Sequence, residues 1–312
     1  DTDHYKANAT YEQSHPECLS DNLTNNNNPD LESAYWSARN LAAMAQGTST
    51  PLFITQGFIE NNTKPEDVQE YLDNHTGVER GWMGQWEHVR GNETNSEGQL
   101  LQGHAGFFDE VMRFYDYYLK GIKPQVQDAA YDIEDSTGVW RAQPTWPTPS
   151  AHTMAGLPGG EYVDDGIAST LAAPAATAGE DWDMEHGTDA APSFASSLAA
   201  VSAAGDTHSY VSWSTPTTSR LRITATPKFT MDASAVGNVM VRLWDVAPDG
   251  TAVMFDENVA LIKQAGRVAF DLKSTDWTFD QGDQLGSRSA PSVAVAGAIP
   301  RVTTRSTSPE RG

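Results

Sequence analysis

The sequence has 312 residues, room for about two domains, and its 20 basic against 42 acidic side chains give a formal charge of −22 and a pI near 4.5. A chain this acidic repels phosphate backbones and anionic headgroups, which sets nucleic acid and membrane surfaces aside as partners. No apolar run nears the ~18 residues a membrane span needs, and a single cysteine, Cys18, permits no internal disulfide and no zinc-finger spacing.

The chain opens Asp1-Thr2-Asp3-His4, with no Met and no basic start or apolar core of a signal peptide, so a processed product or a fragment is expected. As far as Pro29 the sequence is polar, with a run of four Asn, and reads as an irregular, lid-like segment. From Asp30, an N-cap candidate, Leu31, Ala34, Tyr35, Ala38, Leu41, Ala42 and Ala45 recur at helical steps until Gly47. Residues 51–56 form a short apolar run closed by Gly57, which predicts a buried strand. A helix follows near Pro65, with Glu66 and Asp67 favourable in its first turn. Residues 78–83 predict a second strand. A third helix over about 104–120 is expected to bury Phe107, Phe108, Val111, Phe114, Tyr115 and Tyr118 and to stop at Gly121. Strand, helix, strand, helix at this spacing predicts a mostly parallel sheet with flanking helices.

Beyond Pro124 the texture changes. Trp140, Trp146 and Pro144, Pro147 and Pro149 make a bridging segment, and residues 168–178 are rich in Ala, Thr and Pro. From His208 onward short alternating runs (Leu221, Ile223, Ala225; Val239, Val241, Leu243; Val253, Phe255; Val268, Phe270) are separated by turns such as Pro248-Asp249-Gly250. That pattern predicts an antiparallel β-sandwich. The expected division is residues 1–128 α/β, 129–287 all-β, and 288–312 an atypical tail. The tail carries four Arg and one Glu in an otherwise acidic chain and is expected to be disordered, or to be the product of a reading-frame error.

The sharpest chemical arrangement is a carboxylate after one strand and an imidazole after the next: Glu60 follows Gly57 by three residues, and His88 follows Gln85-Trp86-Glu87. In an open parallel sheet, loops at the carboxyl ends of neighbouring strands converge on one crevice. Acid and then histidine, in that order, is the second half of an α/β-hydrolase triad. Its carboxylate orients the imidazole and its imidazole carries the proton of a serine.

Several segments carry a family resemblance. PLFITQGFIENNTKP (residues 51–65) resembles the acid-bearing segment of the Xaa-Pro dipeptidyl-peptidase, cocaine esterase and cephalosporin acylase family of serine hydrolases. GQWEHVRG (84–91) resembles its histidine segment and RFYDYYLKG (113–121) the helix that follows. TGVWRAQPTWP (137–147) is similar to its linker, and DVAPDG (245–250) to a turn of its C-terminal jelly roll. The resemblance implies an α/β-hydrolase domain, of which this chain holds the C-terminal half with cap segment, followed by a galactose-binding-like jelly roll. It makes Glu60 the triad acid and His88 the base, where the family usually has Asp for the acid. Asp67 is the poorer alternative. No G-x-S-x-G elbow occurs in the sequence, so the nucleophile is expected upstream and the chain alone is expected to be inactive.

The implied substrates are peptides with proline second from the N-terminus, or small acyl esters and amides, with no cofactor or metal. A homodimer is compatible with the family, and acidity with only seven lysines suggests secretion from a bacterium. The acidic stretch Glu180 to His186 reads as a solvated face rather than a metal site. The N-x-S/T triplets at Asn8, Asn22, Asn61, Asn74 and Asn92 matter only in a eukaryotic secretory route. Trp213 and Trp244 lie in strand patterns and read as core or sheet face rather than as sugar platforms. A non-catalytic carbohydrate-binding or adhesion protein that uses the jelly roll is the alternative.

Overall fold

The computed structural model of the chain describes residues 2–28, 30–60, 63–86, 88–89, 91, 93–102, 104–148, 151–152, 154–165, 207–291 and 302–305. The two apolar runs become strands β1 (Leu52–Gly57) and β2 (Glu79–Gly84), paired in parallel with Leu52 opposite Glu79 and Gly57 opposite Gly84. A parallel pair needs a crossover, and helix α5 (Pro65–Asn74) supplies it, opening on Pro65 with Glu66 and Asp67 in its first turn. Helix α6 (Phe107–Lys120) is the next crossover. It ends in a left-handed Gly121, with the Ile122 amide reaching back to the Asp116 carbonyl and that of Gly121 to Tyr117.

The sheet continues past the boundary expected near residue 128. Strand β3 (Tyr131–Glu134) pairs in parallel with β2, and β4 (Trp140–Gln143) pairs antiparallel with β3, giving the order β1-β2-β3-β4. The reason is packing: Tyr131 and Ile133 point into the same core as Phe58, Leu72, Met83 and Trp146. A four-residue strand amid Trp and Pro left too little alternation to be recognised as sheet.

Three other expectations are corrected. The opening stretch is not irregular: it forms helices α1 (Thr2–Ser14) and α2 (Pro16–Asn26), and α1 has no buried residue. The helix expected from Asp30 is instead two single turns, α3 (Ala34–Ser37) and α4 (Leu41–Met44). The side chains of Ser33 and Asn40 cap them, and Asn40 restarts the chain after a break. Helix α6 buries only Glu110 and Phe114, while Phe108 and Tyr115 stand about half exposed.

The second half is β-rich. Strands β5 (Glu161–Asp164), β8 (Lys228–Ala233), β11 (Gly266–Asp271) and β14 (Val302–Arg305) form one antiparallel sheet in the order β11-β8-β14-β5. Strands β6 (Tyr210–Trp213), β9 (Gly237–Val246), β10 (Ala252–Ile262) and β13 (Gln284–Ala290) form a second, ordered β10-β9-β13-β6. Strands β7 (Leu221–Ala225) and β12 (Thr275–Phe279) pair as a ribbon. Phe229, Met231 and Ala233 of β8 meet Val239, Val241 and Leu243 of β9, with Phe255 and Trp277 stacked among them, so the two sheets share one core.

The tail expected from residue 288 begins too early. Arg288 and Ser289 are buried ladder residues of β13, and the backbone of residues 302–305 is hydrogen-bonded between β5 and β8. Residues 292–301 and 306–312 of the tail and the stretch 168–178 lie outside the described residues. Among the described residues no helix is long and apolar enough to cross a membrane.

Candidate active site

Glu60 and His88 come together. β1 and β2 are adjacent and parallel, so the segments leaving them emerge at the same end of the sheet. The Phe58 amide donates to the Gly84 carbonyl at 2.7 Å and the Trp86 amide to the same oxygen at 3.0 Å, which holds the two exits side by side. Gly57 makes the approach feasible, since a Cβ there would overlap the Trp86 carbonyl.

The acid turn is anchored residue by residue. Phe58 is fully buried in the α/β core and stacks on Trp146 at 5.1 Å. Ile59, also buried, faces the opposite way and packs with Val211, Trp244, Val246, Ala252 and Met254 of the β-sandwich. Trp244 therefore serves as sheet face toward the α/β half. With its two predecessors fixed in different cores, Glu60 projects into the crevice. The Gln56 amide closes the loop behind it, donating to the carbonyls of Gly57 and Thr63 at 2.9 Å each.

The Glu60 side chain is 4% exposed, and its Oε2 lies 2.8 Å from His88 Nδ1. In the Nδ1-protonated tautomer the imidazole donates to this carboxylate and Nε2 can take up a proton. The His88 ring is 55% exposed, which opens it to an incoming group. A cleft of 170 Å³ lies beside the pair, lined by Thr55, Gln56, Gly57, Glu60, Thr63, Trp86, His88 and Val89. No serine is among these residues.

Asp67 takes no part in this contact. It lies in the first turn of α5, with its carboxyl raised by burial and Lys64 acting against that. Glu87 and the stretch Glu180 to His186 lie outside the described residues. Among the described residues no group of three or more His, Cys, Asp and Glu could hold a metal ion.

Sequence reasoning missed what the second half contributes. The Lys64 ammonium donates to Asn258 Oδ1 at 2.6 Å, and Asn258 Nδ2 donates to Glu66 Oε1 at 2.6 Å, tying the start of α5 to β10. Burial raises the Glu66 carboxyl, with hydrogen bonds and Lys64 opposing it. Gln85, three residues before His88, donates from Nε2 to the Asp276 carbonyl at 3.0 Å. Arg141 spans Asp135 at 2.9 Å and the wholly buried Asp276 carboxylate at 2.7 Å. These partners lie far away in sequence and no local pattern marks them.

Residues 1–90, which include Glu60 and His88, match the model of the X-Pro dipeptidyl-peptidase (S15) family, the family that the motifs resemble. A search of curated proteins returns no match. Among solved structures the chain is similar to an aminopeptidase from a marine sediment archaeon (Thaumarchaeota archaeon), with a TM-score of 0.63 at 17% identity, over 88% of this chain and 56% of that one. It is similar to an α-amino acid ester hydrolase, with a TM-score of 0.61 at 16% identity over the same shares. A CocE/NonD family hydrolase from Staphylococcus aureus matches with a TM-score of 0.54 at 8% identity, over 83% of this chain and 52% of that one. These likenesses show the fold, an α/β-hydrolase-type segment followed by a β domain. The chain spans a little over half the length of those structures.

Proposed function

We propose that this chain is the acid-and-histidine part of an S15-type serine hydrolase, with Glu60 as triad acid and His88 as general base. The 2.8 Å contact between a buried carboxylate and an exposed imidazole, on the exits of adjacent parallel strands, is the observation that carries the reading. The nucleophilic serine lies on a segment outside the 312 residues. The β-sandwich is the jelly roll of that family.

The chemistry follows from the tautomer. His88 Nε2 takes the proton of the serine hydroxyl as the oxygen attacks the acyl carbonyl, and Glu60 stabilises the imidazolium that forms. His88 returns the proton to the leaving amine or alcohol, and an acyl-enzyme remains. Water, deprotonated by the same Nε2, then releases the acid and restores the serine. The substrates are peptides with proline second from the N-terminus, whose first two residues leave as a dipeptide, or small acyl esters and amides. Secretion from a bacterium and a homodimeric assembly complete the proposal.

The test is hydrolysis of Ala-Pro-p-nitroanilide and p-nitrophenyl butyrate by the enzyme that unites this chain with its serine segment. His88→Ala is expected to lower kcat by roughly 10⁶-fold, the order seen when a triad histidine is removed. Full activity in His88→Ala would overturn the assignment.

A further inference from the structure

The β-sandwich sends one charged side chain toward the candidate dyad. Lys273 stands in the turn between β11 and β12 and is wholly buried. Its Nζ donates to the carbonyl oxygen of Ile59, the residue before Glu60, at 3.5 Å. Its backbone amide donates to Asp256 Oδ1 at 3.0 Å, and Asp256 is itself wholly buried on β10. The Ile59 side chain sits in the apolar cluster of β6, β9 and β10. Two kinds of contact from one domain thus grip a single residue of the other: packing on the side chain and a donor on the carbonyl.

Burial draws the Lys273 ammonium below its ordinary range, with Glu257 and Asp256 acting the other way, and it pushes Asp256 up to about 8. The Ile59 contact survives in either protonation state, because a neutral amine still carries N–H donors. A buried amine is costly to desolvate, and an apolar side chain of similar length would fill the space at lower cost. What an apolar side chain cannot supply is the donor to Ile59.

We propose that Lys273 is a positioning residue for the candidate triad acid: by holding the Ile59 carbonyl it fixes the backbone from which Glu60 reaches His88. The proposal rests on the reading of Glu60 and His88 as a catalytic pair. In it the β-sandwich sets the geometry of a site that lies on the other half of the chain.

The experiment compares wild type, Lys273→Met, Glu60→Gln and the double variant in the serine-bearing enzyme. Three readouts are taken: the thermal midpoint, the downfield Nδ1 proton resonance of His88, and kcat and KM on Ala-Pro-p-nitroanilide. Lys273→Met keeps an unbranched side chain, one atom shorter, and removes the donor. It is expected to shift or broaden the His88 resonance and to lower kcat by about tenfold to a hundredfold, the scale of an ångström-size misplacement, with KM within about twofold of wild type. The double variant is expected to be no slower than Glu60→Gln alone, since a residue acting through Glu60 has nothing left to position. A wild-type resonance and kcat in Lys273→Met, with Glu60→Gln impaired, would overturn the proposal and leave the dyad standing. Additive losses in the double variant would also overturn it. An unchanged resonance and kcat in Glu60→Gln would overturn the dyad itself. Should Lys273→Met not fold, Lys273→Leu takes its place, because it too is apolar and lacks an N–H donor. Lowered kcat then supports the proposal and wild-type kcat overturns it.

Discussion

The two halves of the chain bury their apolar surface very differently. In the β-sandwich, Val239, Val241 and Phe255 are wholly enclosed between two four-stranded sheets. In the α/β half, β1 is paired on one side only among the described residues, and Leu52, Phe53 and Ile54 are only partly buried. The outer face of α6 presents Phe108, Met112, Tyr115 and Leu119 at helical spacing, each about half exposed or more. The sandwich closes on itself, whereas the α/β half closes against the sandwich at the place where its chemistry is held. Glu60 is held by contacts because its neighbour Ile59 packs into a second apolar cluster, with residues of β6, β9 and β10 in the other half. A site on an open scaffold acquires rigidity by leaning on a closed one.

The strongest way to break this comparison is to damage each core separately. Phe255→Ala removes a fully buried ring from the centre of the sandwich and is expected to cost about 3–5 kcal/mol, read as a fall in the urea midpoint. Because β9 and β10 carry residues both of that core and of the separate cluster that holds Ile59, the His88 Nδ1 resonance should disappear over the same urea range. Leu72→Ala empties part of the α/β core, at about 2–5 kcal/mol, and should leave the near-ultraviolet signal of the sandwich in place. If the sandwich signal were lost together with the α/β half in Leu72→Ala, the dependence would run both ways and the asymmetry would be wrong.

A smaller effect is expected where the two exit loops touch. Gly57→Ala puts a methyl group against the Trp86 carbonyl, a backbone atom that cannot rotate away. Overpacking of this kind costs about 1–3 kcal/mol. The more telling expectation is chemical: the exits of β1 and β2 must part, which lengthens the 2.8 Å Glu60–His88 contact. Loss of the His88 resonance with the sandwich intact would show that strand spacing and sandwich anchoring are both needed. Retention of that resonance would mean that the anchoring alone suffices.

What could be read from the sequence follows the same division. β1, β2, α5 and α6 were visible because apolar runs, Pro65 and Gly121 are local signals, and Glu60 and His88 were visible because strand ends dictate convergence. The extra strands β3 and β4 were hidden by brevity: four residues with two Trp and three Pro nearby resemble a linker. The anchors were hidden by distance. Lys273 meets Ile59 across 214 residues of sequence and Asn258 meets Lys64 across 194, and a lone lysine in a turn carries no local sign of its destination. The misjudged face of α6 has another origin. Its apolar periodicity is real, but periodicity tells which side is apolar and not whether anything covers it.

The smallest expected effect lies wholly inside the sandwich and concerns pH. The Asp245 carboxyl is raised to about 7, chiefly by burial and also by the nearby Asp283 and Asp280, while a hydrogen bond from Trp277 Nε1 at 2.9 Å acts against them. An unfolded aspartate titrates near 4. Between about pH 4 and 7 the folded chain therefore holds a proton that the unfolded chain has released, so this residue's contribution to stability falls as pH rises through that window and is level above it. Asp245→Asn keeps an acceptor for Trp277 and removes the titration. The thermal midpoint of the variant should equal wild type near pH 4 and exceed it by about 2–4 °C at pH 7, the shift that ~1 kcal/mol produces at this size. The modest figure allows for solvent screening at a carboxylate that is only partly buried. The His88 resonance should change little on this substitution, because Asp245 bonds to Trp277 on the ribbon and it is its chain neighbours Trp244 and Val246 that pack on Ile59. A response there would mean that the sandwich transmits its internal charge state to the acid turn, and that Lys273 is one of several routes between the two halves.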